Sequence, residues 1–280
     1  MTTTQVSPMF QQKPVEGLRL GLKTMLGRAY PRLMSVIREP DWILYEIILP
    51  LLRVIAFVLV YKALKAPTQY AGFVILGGAL MAFWLNVLWM MAAQLHWERL
   101  SGNLELYLMA PASMLWILAG MAFGGMLITL LRAAVIVVVG SLIFGVTYST
   151  VFLPGLALVF VLTLVALYGL GSMLASLYLL YNREVWAIQE PVALITGLYF
   201  PIRALGGYAG AAASIIPLTL GMDAMRQLLF PQGWPSFLPV TWEIVILLAL
   251  VVVFLVGAAK SFAYIERRAK IEGRLTLKWQ

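Results

Sequence analysis

Two long apolar runs, Tyr70–Leu95 with no charged residue and Met114–Phe144 with only Arg132, leave this chain a narrow choice of folds. Each reaches or exceeds the roughly 20 residues that a bilayer-crossing helix needs, and similar runs occur on both sides of the pair. Between them lies HWERLSGNLELYLMAPAS, His96 to Ser113. Its charges and its irregular exit at Pro111 are costly in lipid, so this polar island belongs in water or against another protein. Read as one helix, Trp97, Leu100, Leu104 and Leu108 share a stripe, while Glu98 and Glu105 share another. Gly102 weakens that helix and Pro111 ends it. The spacing fits a connecting loop with a short surface helix. It also fits a docking element that presents acidic and apolar side chains to a partner.

Composition agrees with the membrane reading. Of the 280 residues 62% are hydrophobic and 11% charged, with a mean hydropathy of +0.92. A soluble domain carries roughly 45–50% apolar and about 25% charged residues. The absence of Cys excludes disulfides, thiol catalysis and thiolate metal sites, and a single His, His96, leaves no cluster for zinc or haem. No G-x-x-x-x-G-K-[ST], G-x-S-x-G or H-E-x-x-H occurs, so the chain does not cradle ATP phosphates in that way. In a chain this apolar, the net charge of +8 reads as cytoplasmic anchoring charge. No compact apolar core of a signal peptide stands in the first 40 residues.

Taken in order, residues 1–41 predict a cytoplasmic N-terminus with an amphipathic interfacial helix, its apolar stripe Leu18, Leu22, Met25 and Ala29, interrupted at Pro31. Residues 42–262 hold six spans, near Trp42–Tyr61, Tyr70–Leu95, Leu115–Phe144, Pro154–Tyr181, a short fifth from Val185 that stops at Pro201, and Thr241–Phe262. Residues 204–216 are too short and small to cross, and read as a half-helix dipping back into the membrane, ended by Pro217. Asp223 and Arg226 fall in a polar outer segment that follows, and residues 263–280 form a basic tail. Gly120 and Gly124 form a G-x-x-x-G that permits close helix contact. With both termini inside, fourteen of the 20 Lys and Arg lie on the cytoplasmic side, as the positive-inside rule favours. Arg53 and Arg132 lie within spans. Arg53 either snorkels, pairs with Glu46 on its own helix, or joins Arg132 in lining a route for an anionic group.

Glu98-Arg99-Leu100-Ser101-Gly102-Asn103-Leu104-Glu105, with Pro111-Ala112-Ser113 after it, resembles the cytoplasmic signature of ABC-2 type transporter permeases. Pro201, then Pro217-Leu218-Thr219, Asp223 and Arg226 before the last span, is similar to that family's re-entrant segment, and Arg38-Glu39-Pro40 looks like its N-terminal element. Asn103 stands where a Thr is usual, and Glu39 where an Asp or Asn is common. The resemblance implies an all-α permease of six transmembrane helices. It assigns Glu98, Arg99, Gly102, Leu104, Glu105, Leu108 and Pro111 to a coupling helix on the ATPase. Arg132 and Arg53 then stand beside the substrate path, and Pro201, Pro217, Asp223 and Arg226 in the re-entrant segment. It further implies no cofactor in this chain, with ATP and Mg on separate ATP-binding subunits, a second permease subunit, identical or a sister chain, and membrane lipids as neighbours. The setting is a bacterial inner membrane and the substrate a drug, lipid or lipid-linked glycan, with DrrB-like drug exporters the nearer kind. A secondary transporter or channel that needs no ATPase remains the alternative.

Overall fold

The computed structural model describes residues 17–149, 152–181, 185–230 and 236–272, and all regular structure there is helical. Among the described residues five stretches are long and apolar enough to cross a membrane: Leu44–Ala63, Gln69–Leu100, Met114–Phe144, Leu153–Leu179 and Val240–Ile265. This is an all-α, multi-pass membrane protein.

The N-terminal helix α1 (Leu18–Arg38) runs unbroken through Pro31. The expected interruption does not occur, because the ring sits on the exposed side, where solvent can take the carbonyl that proline leaves unpaired. Pro40 opens α2 (Pro40–Ala63) at its first turn, where its missing N–H costs nothing, so Arg38-Glu39-Pro40 is the joint between the two helices.

Helix α3 (Gln69–Val87) is apolar on every side, and that makes it the centre of the molecule. Inside its apolar stretch 89% is buried, against 11% for α2. A π-helical turn, Leu88–Ala92, leads from α3 into α4 (Gln94–Leu100), so the second long helix continues into the polar island instead of ending at Leu95. Two further short or long elements follow, α5 (Asn103–Met109) and α6 (Met114–Phe144). Helix α7 (Leu153–Tyr181) packs along the last helix, α11 (Val240–Glu272), while α6 packs against both α1 and α3.

Between α7 and α11 the chain does not form a single fifth span. Residues 185–188 make one 3₁₀ turn, α8 (Gln189–Ile195) is short, and Gly197 at φ 71° turns the backbone. Then come a 3₁₀ turn at Ile202–Leu205, α9 (Gly207–Ala213) and α10 (Pro217–Leu229). Pro201 precedes that second turn and Pro217 occupies the first turn of α10. Helix α10 is buried along nearly all its length against α7, α11 and α3, so the segment containing Asp223 and Arg226, expected to be polar, is not solvated. Its charges are accommodated by internal partners.

The α1–α6 contact uses the G-x-x-x-G. A Cβ at Gly120 would stand 2.5 Å from the Met25 carbonyl oxygen, and one at Gly124 would stand 2.9 Å from that of Ala29. The two helix backbones therefore touch, and the glycines serve the N-terminal helix instead of another span. Ala29 is buried there, whereas Leu18, Leu22 and Leu26 are exposed, so the packed edge of α1 is Gly21–Met25–Ala29 and not the full leucine stripe.

Candidate functional site

The polar island folds as two short helices instead of one. Gly102 takes φ 77°, a left-handed conformation that ends α4 and starts α5 in a new direction. The single stripe Trp97–Leu100–Leu104–Leu108 is thereby split. Leu104 is 2% exposed and packs inward with Leu95, Met114 and Leu118, while Trp97 and Leu100 point out. The side chains of Glu105 and Leu108 lie outside the described residues. Arg99 is half-buried, and Gly102 and Pro111 are exposed.

Glu98 faces inward, at the centre of a polar network. Arg28 Nη2 of α1 donates to its Oε1 at 3.0 Å, Gln94 Nε2 donates to the same oxygen at 3.0 Å, and Asn103 Nδ2 donates to Oε2 at 2.9 Å. Arg28 also donates to the Tyr107 hydroxyl at 2.5 Å and lies over that ring. Burial and the hydrogen bond to Glu98 push Tyr107 up to about 12, so its hydroxyl stays protonated at neutral pH. Glu98 thus finds its cation within the chain, on α1. What the two short helices leave outside is apolar: Trp97, Leu100, Leu106 and Met109, 55%, 56%, 60% and 72% exposed.

The two cations within spans each have a carboxylate. Arg132 pairs with Glu46 of α2, and Arg53 Nη1 lies 3.6 Å from Glu190 Oε1 of α8. Glu46 therefore serves α6 and not Arg53 on its own helix. The reason is geometric: Arg132 is buried at the α2–α6 contact, whereas Arg53 and Glu190 lie on an open face, 42% and 59% exposed at their side chains. A central Arg costs about 2.5–3.5 kcal/mol on insertion scales, which is why both are paired.

In α10 Arg226 is fully buried. Nη1 donates to the Gly197 carbonyl at 2.9 Å, and Nη2 donates to those of Leu198 at 2.9 Å and Phe73 at 3.2 Å, with the guanidinium over the Phe73 ring. Asp223 Oδ2 accepts the Phe237 N–H at 2.7 Å, and Gln227 Nε2 donates to Glu243 Oε2 at 2.9 Å and to the Leu238 carbonyl at 2.8 Å. These bonds hold α10 to the unwound turn after α8 and to the start of α11. A cavity of about 790 Å³ opens between α1–α6 and α7–α11, lined chiefly by apolar side chains, among them Met25, Trp116, Phe123 and Met126, with Tyr168 and Ser172 as polar members. The hydroxyls of these two are engaged, Tyr168 donating to Asn86 Oδ1 and Ser172 to the Tyr168 carbonyl, and Ser113 also lines the cavity.

The family model described as ABC-2 type transporter matches residues 29–230. That span runs from Ala29, midway along α1, to just past the end of α10, and it takes in the two short helices, the membrane ion pairs and Arg226. The chain belongs to the ABC-2 type transporter family. No curated protein matches it. It is the permease component of such a system.

Several residues that shape this permease carry little signal in the sequence: Arg28 and Arg32 lie in a basic stretch, and Glu243 lies near the start of the last apolar run. The spacing i, i+4 puts Arg28 and Arg32 on one side of α1, next to Ala29, and that was the legible hint. Arg32 reaches up from the Gly124 contact, its Cβ 3.0 Å from where a Cβ there would stand, and its Nη2 rests against Met90 Sδ. Burial pulls its guanidinium below the ordinary range, with Glu46 acting against that shift and Arg132 adding to it.

Proposed function

We propose that this permease is the membrane half of an ATP-driven exporter, with its two short helices, α4 and α5, docked on a separate ATP-binding subunit. The observation that carries the reading is the apolar surface of Trp97, Leu100, Leu106 and Met109 on the hydrophilic link between two spans. Four large apolar side chains at an aqueous turn are a docking patch, because a loop that met only water would not keep them together. Arg99, Gly102 and Pro111 frame it, and Glu105 and Leu108 belong to the same segment of sequence. Glu98 and Leu104 contribute by setting the angle of the patch from inside. ATP and Mg are held by the partner, whose closure moves the patch and, through Glu98 and Arg28, the N-terminal helix.

In this reading both termini are cytoplasmic, α1 lies along the inner leaflet with Leu18, Leu22 and Leu26 toward lipid, and residues 185–200 form a short, broken fifth crossing. Residues 201–226 return as the re-entrant segment: α9, at seven residues, is only about 10 Å long, a third of the hydrocarbon core. A second permease subunit covers the open face of α2 and α8, where Arg53 and Glu190 would otherwise meet lipid at high cost. The largely apolar 790 Å³ cavity suits a hydrophobic or amphipathic substrate.

The test is Leu106→Glu with Met109→Glu. The variant folds as wild type in detergent, because both side chains already face outward, but it no longer co-purifies with the ATPase and no longer couples transport to hydrolysis. Unchanged co-purification and transport would overturn the docking role. Single cysteines at Thr68 and Ser101, in a chain that has none, report orientation: an impermeant reagent labels the first from outside and the second only from within.

A further inference from the structure

Within the described residues Arg226 is buried among backbone carbonyls that take its donors, but Arg32 has neither a carboxylate within ion-pair distance nor a carbonyl in that role. Arg132 of α6 pairs with Glu46 of α2, and Arg32 of α1 lies within electrostatic range of both, so two guanidiniums face the neighbourhood of one carboxylate. Glu46 is taken by Arg132. The remaining contact of Arg32 is the thioether of Met90, a weak acceptor that cannot balance a positive charge. The Nε atoms of both arginines are buried with no hydrogen-bond partner. A half-buried guanidinium with an unpartnered donor, near a second one, is stabilised by an added oxyanion that accepts from it.

We propose that Arg32 and Arg132 form a binding site for the phosphate or carboxylate headgroup of an amphipathic molecule, entered from the inner leaflet, with Glu46 as the internal anion that the ligand displaces or shares. The planar fork of each guanidinium matches such an oxyanion with two parallel donors. Gly124 fixes the distance, because the absent side chain lets α1 bring Arg32 down to α6. The inference deepens the export reading, and rests on it only in regarding the headgroup as part of a transported molecule.

The experiment uses the purified permease without its ATPase, in nanodiscs of a zwitterionic lipid, so a failure of the export reading leaves its outcome untouched. Binding of decyl phosphate is compared with that of a neutral decyl ether and of inorganic phosphate. Wild type binds decyl phosphate more tightly than the neutral ether. Arg32→Gln weakens that binding by about tenfold or more, Arg32→Lys by less, and the exposed Lys260→Gln not at all. Glu46→Gln, which removes the competing carboxylate, binds the anion more tightly than wild type. That gain keeps the test decisive should the arginine variant misfold, since a damaged protein does not gain affinity. Binding of inorganic phosphate with the same dependence on Arg32 identifies a water-borne oxyanion, and selective binding of decyl phosphate identifies a lipid-like headgroup; both support the site. Equal affinity of Arg32→Gln and wild type for decyl phosphate, or a Glu46→Gln variant that binds no more tightly, overturns it.

Discussion

Arg226→Met is the substitution whose effect can be worked most directly from the structure. Methionine matches the length and apolar stem of arginine but has no donors, so three backbone carbonyls lose a partner. Phe73 lies inside α3, where its carbonyl already takes an intrahelical N–H, and its loss is small. Gly197 and Leu198 lie in the non-helical turn after α8, buried under α3, and depend on Arg226. Each buried acceptor left unpaired costs about 1–3 kcal/mol, so the two together cost roughly 2–6 kcal/mol. Relief from burying a cation offsets part of this, and the net effect lies toward the lower end. Gly77 cannot give way, because Leu198 rests directly on its backbone, as the clash of any Cβ there shows. Unfolding of the purified permease in detergent, followed by tryptophan fluorescence against denaturant, measures the loss. Arg226→Lys falls between, since one ammonium cannot fork to Gly197 and Leu198 as a guanidinium does. A methionine variant within about 0.5 kcal/mol of wild type would refute the argument, as that is the scatter of neutral surface changes.

Three other perturbations follow from the same contacts. Gly120→Leu with Gly124→Leu drives side chains into the Met25 and Ala29 carbonyls and frees α1 from α6; overpacking of about 1–3 kcal/mol is expected, read as faster tryptic cleavage at Lys23 and Arg28. Arg28→Gln and Glu98→Gln, combined in a double-mutant cycle, give a coupling energy of about 1 kcal/mol, kept modest because the Arg28 side chain is 32% exposed; a value near zero would mean that Gln94 and Asn103 alone hold Glu98. Asp223→Ala strands the Phe237 N–H and costs about 1–2 kcal/mol, while Asp223→Asn, which keeps an acceptor, costs less.

Which parts of this permease were legible in its sequence follows from which forces act locally. Apolar length alone marked the stretches that became α2, α3, α6, α7 and α11, because a run without charges has no other low-cost place to be. The motif Glu98–Pro111 marked the polar link between two spans, but not its shape. A helical wheel assumes one axis, and the left-handed turn at Gly102 gives α4 and α5 two, so Trp97 and Leu104 ended on opposite sides of the surface. The pairing of charges was less accessible still, because it is set by tertiary neighbours. Glu46 and Arg53 share a helix face and pair with Arg132 and Glu190 instead, each on a helix far along the chain. Arg226, in a segment that looks polar and solvated when read linearly, proved to be the most buried cation, because the unwound turn after α8 needs donors that no nearby residue supplies. The same logic explains why Arg32 escaped notice: a cation near the start of a basic stretch reads as solvated until the glycines of α6 are seen to draw its helix inward. Where a break in regular backbone or a missing side chain decides the geometry, the decisive residue is Gly or Pro, and the charged residue that answers it lies many positions away.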